Sequence, residues 1–267
     1  MATPIILEVR NLSVPPRLRG EVSFTLREGQ RLCVYGHSGA GKTTLLRALF
    51  GLLAHRGSVV WHIPRASAGY AAQCPRLIPR ANVLQQILWC SALHGASLSV
   101  HGSRIHDLLE WWGLEAHRHR LVHRLSIGER LRLELCCAAA VASRLLVVDG
   151  LLEQLDERTR RRFWEEMDAR CARRELALIY ATHSAREAEL ADHVLMLHEG
   201  RVLAMDTPEH LRAHAELQAV YLEPVQESSR SAVQATFCAD GEVRLTIHPV
   251  ATMEDVLQAL VRRGGLE

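Results

Sequence analysis

The nine residues Gly36 to Thr44, GHSGAGKTT, constrain this 267-residue chain more than any other stretch. Gly36, Gly41, Lys42 and Thr43 fit a phosphate-loop spacing: glycine, four residues, then Gly-Lys-Thr. Glycines at 36, 39 and 41 let backbone N–H groups turn inward on phosphates, and the helix that follows points its positive end at them. The candidate phosphate-binding set is therefore Gly36, His37, Ser38, Gly39, Ala40, Gly41, Lys42, Thr43 and Thr44, with the Thr43 hydroxyl placed to hold Mg²⁺. His37 is one of the loop's variable positions and is read as spacing. An apolar run, Arg31 to Tyr35, precedes the loop, and Thr44 to Leu53 reads as the helix after it, which is the strand–loop–helix context the motif requires. Lys42 is the only lysine among 32 basic residues, and it stands where a compact ammonium fits between phosphate oxygens better than a planar guanidinium.

With 48% hydrophobic content the chain can bury a substantial α/β core with a subdomain or tail. A net charge of +2, with arginines interleaved among acidic residues, gives no basic patch for nucleic acid. The start, MATPIILEVR, has neither a basic region nor a long apolar core, and the most apolar window, Leu131 to Val148, is broken by Arg132, Glu134 and Arg144. The reading is of a chain that neither enters nor spans a membrane. Seven cysteines lack metal-ligand spacing and read as apolar fillers of a reducing compartment.

Along the chain, Ile5–Val9 and Val22–Leu26 read as a hairpin of a small antiparallel layer, which Ser58–Ile63 follows as a strand; Gly69–Ala72 leads into Gln73. The period then turns helical. Asn82 with Gln85 is a capping-box start for a helix ending at Gly95, and Ser103 is read as the cap of a second helix ending at Gly113. Leu125-Ser126-Ile127-Gly128-Glu129 opens a long helix to about Ala142, which runs into Leu145–Asp149, a buried strand ending in a carboxylate. Glu157 to Arg174 reads as an exposed helix, Leu176 to Ala181 as a strand ending at Thr182-His183-Ser184, and Glu199-Gly200 as a hairpin turn before a last helix at Pro208.

Over Ile5 to Leu217 this order of motifs resembles the ATP-binding subunit of an ABC transporter. GHSGAGKTT corresponds to Walker A, Gln73 to the Q-loop glutamine, LSIGE at 125–129 to the signature, LLVVD at 145–149 to Walker B, Asp156 to the D-loop and His183 to the switch histidine. The resemblance implies an α/β phosphate-loop NTPase core of RecA-like type with an antiparallel β subdomain. It also implies a helical subdomain at about 75–143 and a C-terminal extension over 218–267. It implies Mg²⁺ held by Thr43, Gln73 and Asp149, and ATP sandwiched head to tail between two ATP-binding subunits. Ser126, Ile127, Gly128 and Glu129 would face the partner's γ-phosphate, while Gln73 and His183 would serve catalysis. The remaining partner is a membrane permease, with this chain peripheral on the cytoplasmic face. The ending Thr252–Leu257, with Leu260 and Arg263, resembles that of export-type ATPases.

Two departures matter. Where the family carries a water-orienting glutamate after the Walker B aspartate, this chain has Gly150; Glu153 lies three positions on, in a loop expected to sit too far away to hold the same water. Where the family places an adenine-stacking aromatic, near Pro16, no aromatic lies between Ile5 and Glu21. The preferred reading is the catalytically degenerate half of an asymmetric pair, and a heterodimer is favoured over a homodimer. The alternative is a non-hydrolysing regulatory or structural clamp. The soluble ABC ATPases of translation or repair have tandem domains or coiled-coil insertions, which this chain lacks. His117, His119 and His123, with His101 and His106 nearby, raise metal binding, which their arginine-rich setting without cysteine or carboxylate at ligand spacing disfavours.

Overall fold

A computed structural model of the chain describes residues 3–95, 98–219, 233–237, 243–247 and 252–263. β1 (Ile5–Val14) and β2 (Leu18–Arg27) form a longer hairpin than the sequence suggests, and β4 (Arg56–Trp61) joins the free edge of β1, giving a three-stranded antiparallel layer in the order β2-β1-β4. Alternation drives it: Leu7, Val9, Leu12, Val22 and Leu26 are buried while their neighbours Glu8, Arg10 and Thr25 stay at or near the surface.

The second sheet has six strands: β5 (Ala68–Ala71), β6 (Leu145–Asp149), β7 (Ala177–Thr182), β3 (Arg31–Tyr35), β8 (His193–His198) and β9 (Arg201–Asp206), in that spatial order. All neighbours run parallel except β8 and β9. The near-continuous apolar sequences of β6 and β7 follow from burial on both faces, since every residue of the two strands is buried. Gly200, in the β8–β9 turn, ties the two sheets by accepting the N–H groups of Arg19 and Gly20 at 2.7 and 3.0 Å.

Helices α1 (Lys42–Leu49), α2 (Val83–Leu93), α3 (Leu98–Trp111), α4 (Ile127–Val141), α5 (Glu157–Ala172), α6 (Ala185–Ala188) and α7 (Pro208–Ala219) complete the main body. The capping box expected at Asn82/Gln85 is formed, and a second, not anticipated, forms at Ser126/Glu129, so α2 and α4 start where two reciprocal side-chain bonds satisfy otherwise orphaned N–H groups. The helix after the phosphate loop is shorter than read, ending at Leu49 rather than Leu53, because Gly51, at φ +71°, turns the chain out of the helix. α3 begins five residues before Ser103, which therefore does not cap it. Ile105, Leu109 and Trp112 pack it against α2 and α4, and the buried, small-residue C-terminal half of α4 packs on β5 and β6.

Beyond α7 the described segments are a two-stranded hairpin, β10 (Val233–Phe237) with β11 (Val243–Ile247), and α8 (Met253–Arg263). The stretch read as a separate extension contributes to the main core, because Met253, Val256 and Leu257 are fully buried in it and α8 lies against α6, α7 and β9.

Candidate functional site

In an open parallel sheet, ligands gather at the carboxyl ends of strands where successive connections depart to opposite sides. Here β3, β6 and β7 are consecutive neighbours, and their carboxyl ends deliver the phosphate loop, Asp149 and Thr182-His183 to one cleft of about 340 Å³. The cleft is lined by Ser38 through Thr44 without a gap, and by Arg17, Gln73, Asp149, Gly150, Glu153, Thr182 and His183. Gly36 and His37 complete the loop behind it, where their carbonyls accept the Lys42 ammonium at 2.5 and 2.9 Å. Burial pulls the Lys42 pKa down, against the opposing pull of Glu153 and Asp149, as suits an ammonium kept for a polyanion. Gly41, at φ +104°, lets the chain turn directly into α1, whose N-terminus opens on the cleft.

Asp149 is 2% exposed, yet among the described residues it has no cation in ion-pair contact. Two neutral hydroxyls hold it: Thr43 donates to Oδ1 and Tyr70 to Oδ2, both at 2.9 Å. Burial raises the Tyr70 pKa, with the Asp149 charge acting in the same direction, so the phenol stays a donor. A buried carboxylate beside a threonine hydroxyl, with the amide of Gln73 lining the same cleft, is a hard oxygen donor set that fits Mg²⁺.

Gly150 has φ +62°, and a Cβ built on it would meet the Gln73 side chain at 3.6 Å. Glu153, contrary to the sequence expectation, reaches the cleft. A 3₁₀ turn, Leu152–Gln154, folds it back. Its Oε1 accepts from Thr182 Oγ1 at 2.6 Å and from the His183 N–H at 2.5 Å, while Oε2 lies 2.5 Å from His183 Nδ1.

The signature residues Ser126, Ile127, Gly128 and Glu129 do not line this cleft; they sit at the N-terminus of α4, the first three exposed. Asp156, also outside the cleft, caps α5 by accepting from Thr159 N and Oγ1 at 2.9 and 2.7 Å, bonds that lower its pKa. No aromatic lines the cleft, in keeping with the expected lack of an adenine platform. The histidines raised as metal ligands go separate ways: His117 pairs with Glu129, His106 with Glu115, and His123 lies against the Pro79 carbonyl. His101 lies where no side chain is described. Among the described residues no group of three His, Cys, Asp or Glu could hold a metal ion.

Sequence reading missed Tyr70, Thr182 and Glu187. Tyr70 was within reach, because it stands on the strand beside β6 and shares the parity of Val147, two residues before Asp149. Thr182 and Glu187 carry no motif of their own.

A family model described as "ABC transporter" matches residues 20–152. The solved "Structure of ATP binding subunit of ABC transporter" superposes with a TM-score of 0.73 at 23% identity, covering 81% of this chain and 98% of that one. The chain has the ABC ATPase fold. Among curated relatives, the Fe(3+) ions import ATP-binding protein FbpC of Streptomyces avermitilis is 34% identical over 70% of this chain and 57% of its own length. The energy-coupling factor transporter ATP-binding protein EcfA1 of Geobacillus kaustophilus is 28% identical over 76% of this chain and 77% of its own. The chain spans 57–64% of the length of the iron(III) import proteins it matches first. None of its described helices is long and apolar enough to cross a membrane.

Proposed function

We propose that this chain is the ATP-binding subunit of an ABC transporter. It binds Mg·ATP between its phosphate loop and the signature of a second ATP-binding subunit, and passes the resulting movement to a membrane permease on whose cytoplasmic face it sits. The observation that carries this reading is the single cleft joining Ser38–Thr44, Gln73, Asp149 and His183, while Ser126 and Gly128 stand exposed elsewhere, free to cap a partner's γ-phosphate. Gln73 and Asp149, with Thr43, would hold the Mg²⁺, which neutralises the phosphates when bound.

The pair is asymmetric in this reading. Gly150 offers no side chain where the family places its carboxylate, so the two composite sites differ in equipment, and a heterodimer with a glutamate-bearing partner is favoured. The same glycine supports the second reading, a clamp that closes on ATP without turnover. The iron(III) relative named above is an import ATP-binding protein, which favours an import-type assembly over the export type that the C-terminal sequence resembles.

The test is nucleotide binding and turnover in the assembly purified through this chain from its native membrane. Lys42→Ala abolishes Mg·ATP binding at this chain's cleft, whereas Ser126→Ala keeps it and depresses turnover at the partner's site. Failure of the unmodified chain to bind Mg·ATP refutes both readings; binding with an assembly devoid of turnover selects the clamp.

A further inference from the structure

Glu153 is held too completely to be a bystander. Its Oε1 takes two hydrogen bonds, at 2.6 and 2.5 Å, and its Oε2 lies 2.5 Å from His183 Nδ1. The Thr182 hydroxyl that holds it has a single proton, yet it lies 2.6 Å from Glu153 Oε1 and 2.7 Å from Glu187 Oε2 and also accepts the Ser184 N–H at 3.0 Å. One carboxyl of the two must therefore be protonated. Burial raises the Glu187 pKa, and Glu187 is the more enclosed, so Glu187 is the carboxyl that donates to Thr182, and Thr182 in turn donates to Glu153. Glu153 Oε2 faces Nδ1 as an acceptor, so the neutral His183 ring turns its Nδ1–H toward it and carries its lone pair on Nε2. Nε2 has no hydrogen-bond partner among the described residues, and His183 lines the phosphate cleft with its side chain 61% exposed. A carboxylate behind a ring whose far nitrogen is free is the arrangement that makes imidazole a general base.

We propose that Glu153 and His183 together replace the carboxylate missing at position 150. Glu153 is the positioning residue, and His183 Nε2 accepts the proton of the water that attacks ATP in this chain's own cleft. The inference rests on the reading that the cleft binds Mg·ATP, and it gives the asymmetric pair two differently built catalytic sites. In the step, the water oxygen forms a bond to the γ-phosphorus while the bond from that phosphorus to the β,γ-bridging oxygen breaks. The bridging oxygen keeps the electron pair and leaves as a terminal oxygen of ADP. One water proton passes to Nε2, forming an imidazolium that Glu153 stabilises, and the other stays on the phosphate released. Exposure of His183 lets the ring return its proton to solvent.

The experiment uses the full chain in excess over radiolabelled Mg·ATP, at concentrations that favour pairing, and reads equilibrium binding and single-turnover phosphate release separately. Glu153→Gln keeps the shape and removes the charge, and His183→Ala keeps the Thr182 and backbone contacts of Glu153. Each variant should slow phosphate release by about 10²-fold or more while changing ATP affinity less than threefold. The double variant should be no slower than His183→Ala alone, because the two residues act as a unit. Nitrogen-15 spectra of the imidazole should show the Nδ1–H tautomer in the unmodified chain and its loss in Glu153→Gln, a change that a merely structural carboxylate would not produce. The proposal is overturned if the chain binds ATP without hydrolysing it, if Glu153→Gln hydrolyses at the unmodified rate, or if the two losses multiply. Absence of ATP binding is a separate outcome that removes the nucleotide reading itself.

Discussion

Restoring the family's carboxylate by Gly150→Glu should fail to restore a family-like site. Position 150 has φ +62°, where an L side chain costs roughly 1–2 kcal/mol relative to glycine. The new Cβ would point at Gln73, 3.6 Å from its Cδ and Nε2, an ordinary contact that adds no clash but aims the side chain at the glutamine. Glu153 already lines the same cleft, so a second carboxylate also meets a like charge. At about 2–4 °C per kcal/mol for a chain of this class of size, the backbone strain alone lowers the melting temperature by roughly 2–8 °C. A well-placed general base contributes about 10²–10⁴-fold, but one held in strain beside Gln73 should raise turnover by less than about tenfold. Differential scanning calorimetry and phosphate release on three variants separate the effects. Gly150→Ala carries the strain without the charge and should melt with Gly150→Glu, while Gly150→Asn, which tolerates the left-handed region better, should fall between them and the unmodified chain. A Gly150→Glu variant that melts with the unmodified protein and hydrolyses ATP a hundredfold faster would refute the argument.

With no aromatic in the cleft, phosphate contacts dominate binding, and since an aromatic stack is worth about 0.5–1.5 kcal/mol, calorimetric titration should find ATP preferred over GTP by less than about tenfold. In the helical layer Ile87 is 0% exposed, whereas Trp89 and Ile78 are each 44% exposed and open to a docking partner. Ile87→Asp should therefore unfold that layer by circular dichroism, while Trp89→Asp and Ile78→Asp should keep the fold and ATP binding but lose capture of the membrane partner. Burial raises the Glu187 carboxyl above the ordinary carboxylate range in the folded state, so the stability it contributes is fully present below the unfolded value and lost as pH rises through the raised one. Glu187→Gln should accordingly melt higher than wild type at pH 8, with the difference vanishing near pH 4.

The features legible in the sequence are those whose cause is local. The phosphate loop, the apolar run into Asp149, the capping box at Asn82/Gln85 and the helix start at Ser126 each depend on residues within a few positions of one another, and each formed as read. The start of α3 was misplaced because Gly102 and Ser103 look like punctuation, yet the apolar anchors Ile105, Leu109 and Trp112 hold a helix that continues through them. Glu153 was read as out of reach because residue separation alone says nothing of a 3₁₀ turn that folds the chain back, nor of Thr182 and His183 arriving from a strand about thirty residues on. The docking of α8 depends on a surface assembled from α6, α7 and β9, which no window of sequence contains.

Helix α4 has its capped, exposed end at Ser126 and its buried end one short bend from β6, the strand that terminates in Asp149. At 1.5 Å per residue its 15 residues make a strut of about 22 Å, pinned along its far half by the alanines and cysteines packed on β5 and β6. A strut fixed at one end cannot yield locally when it is pushed at the other. In the head-to-tail pair proposed above, a load placed on Ser126 by a neighbour's γ-phosphate would thereby be delivered to the strand that ends in Asp149, so occupancy of either pocket would be felt in the other without any loop having to rearrange.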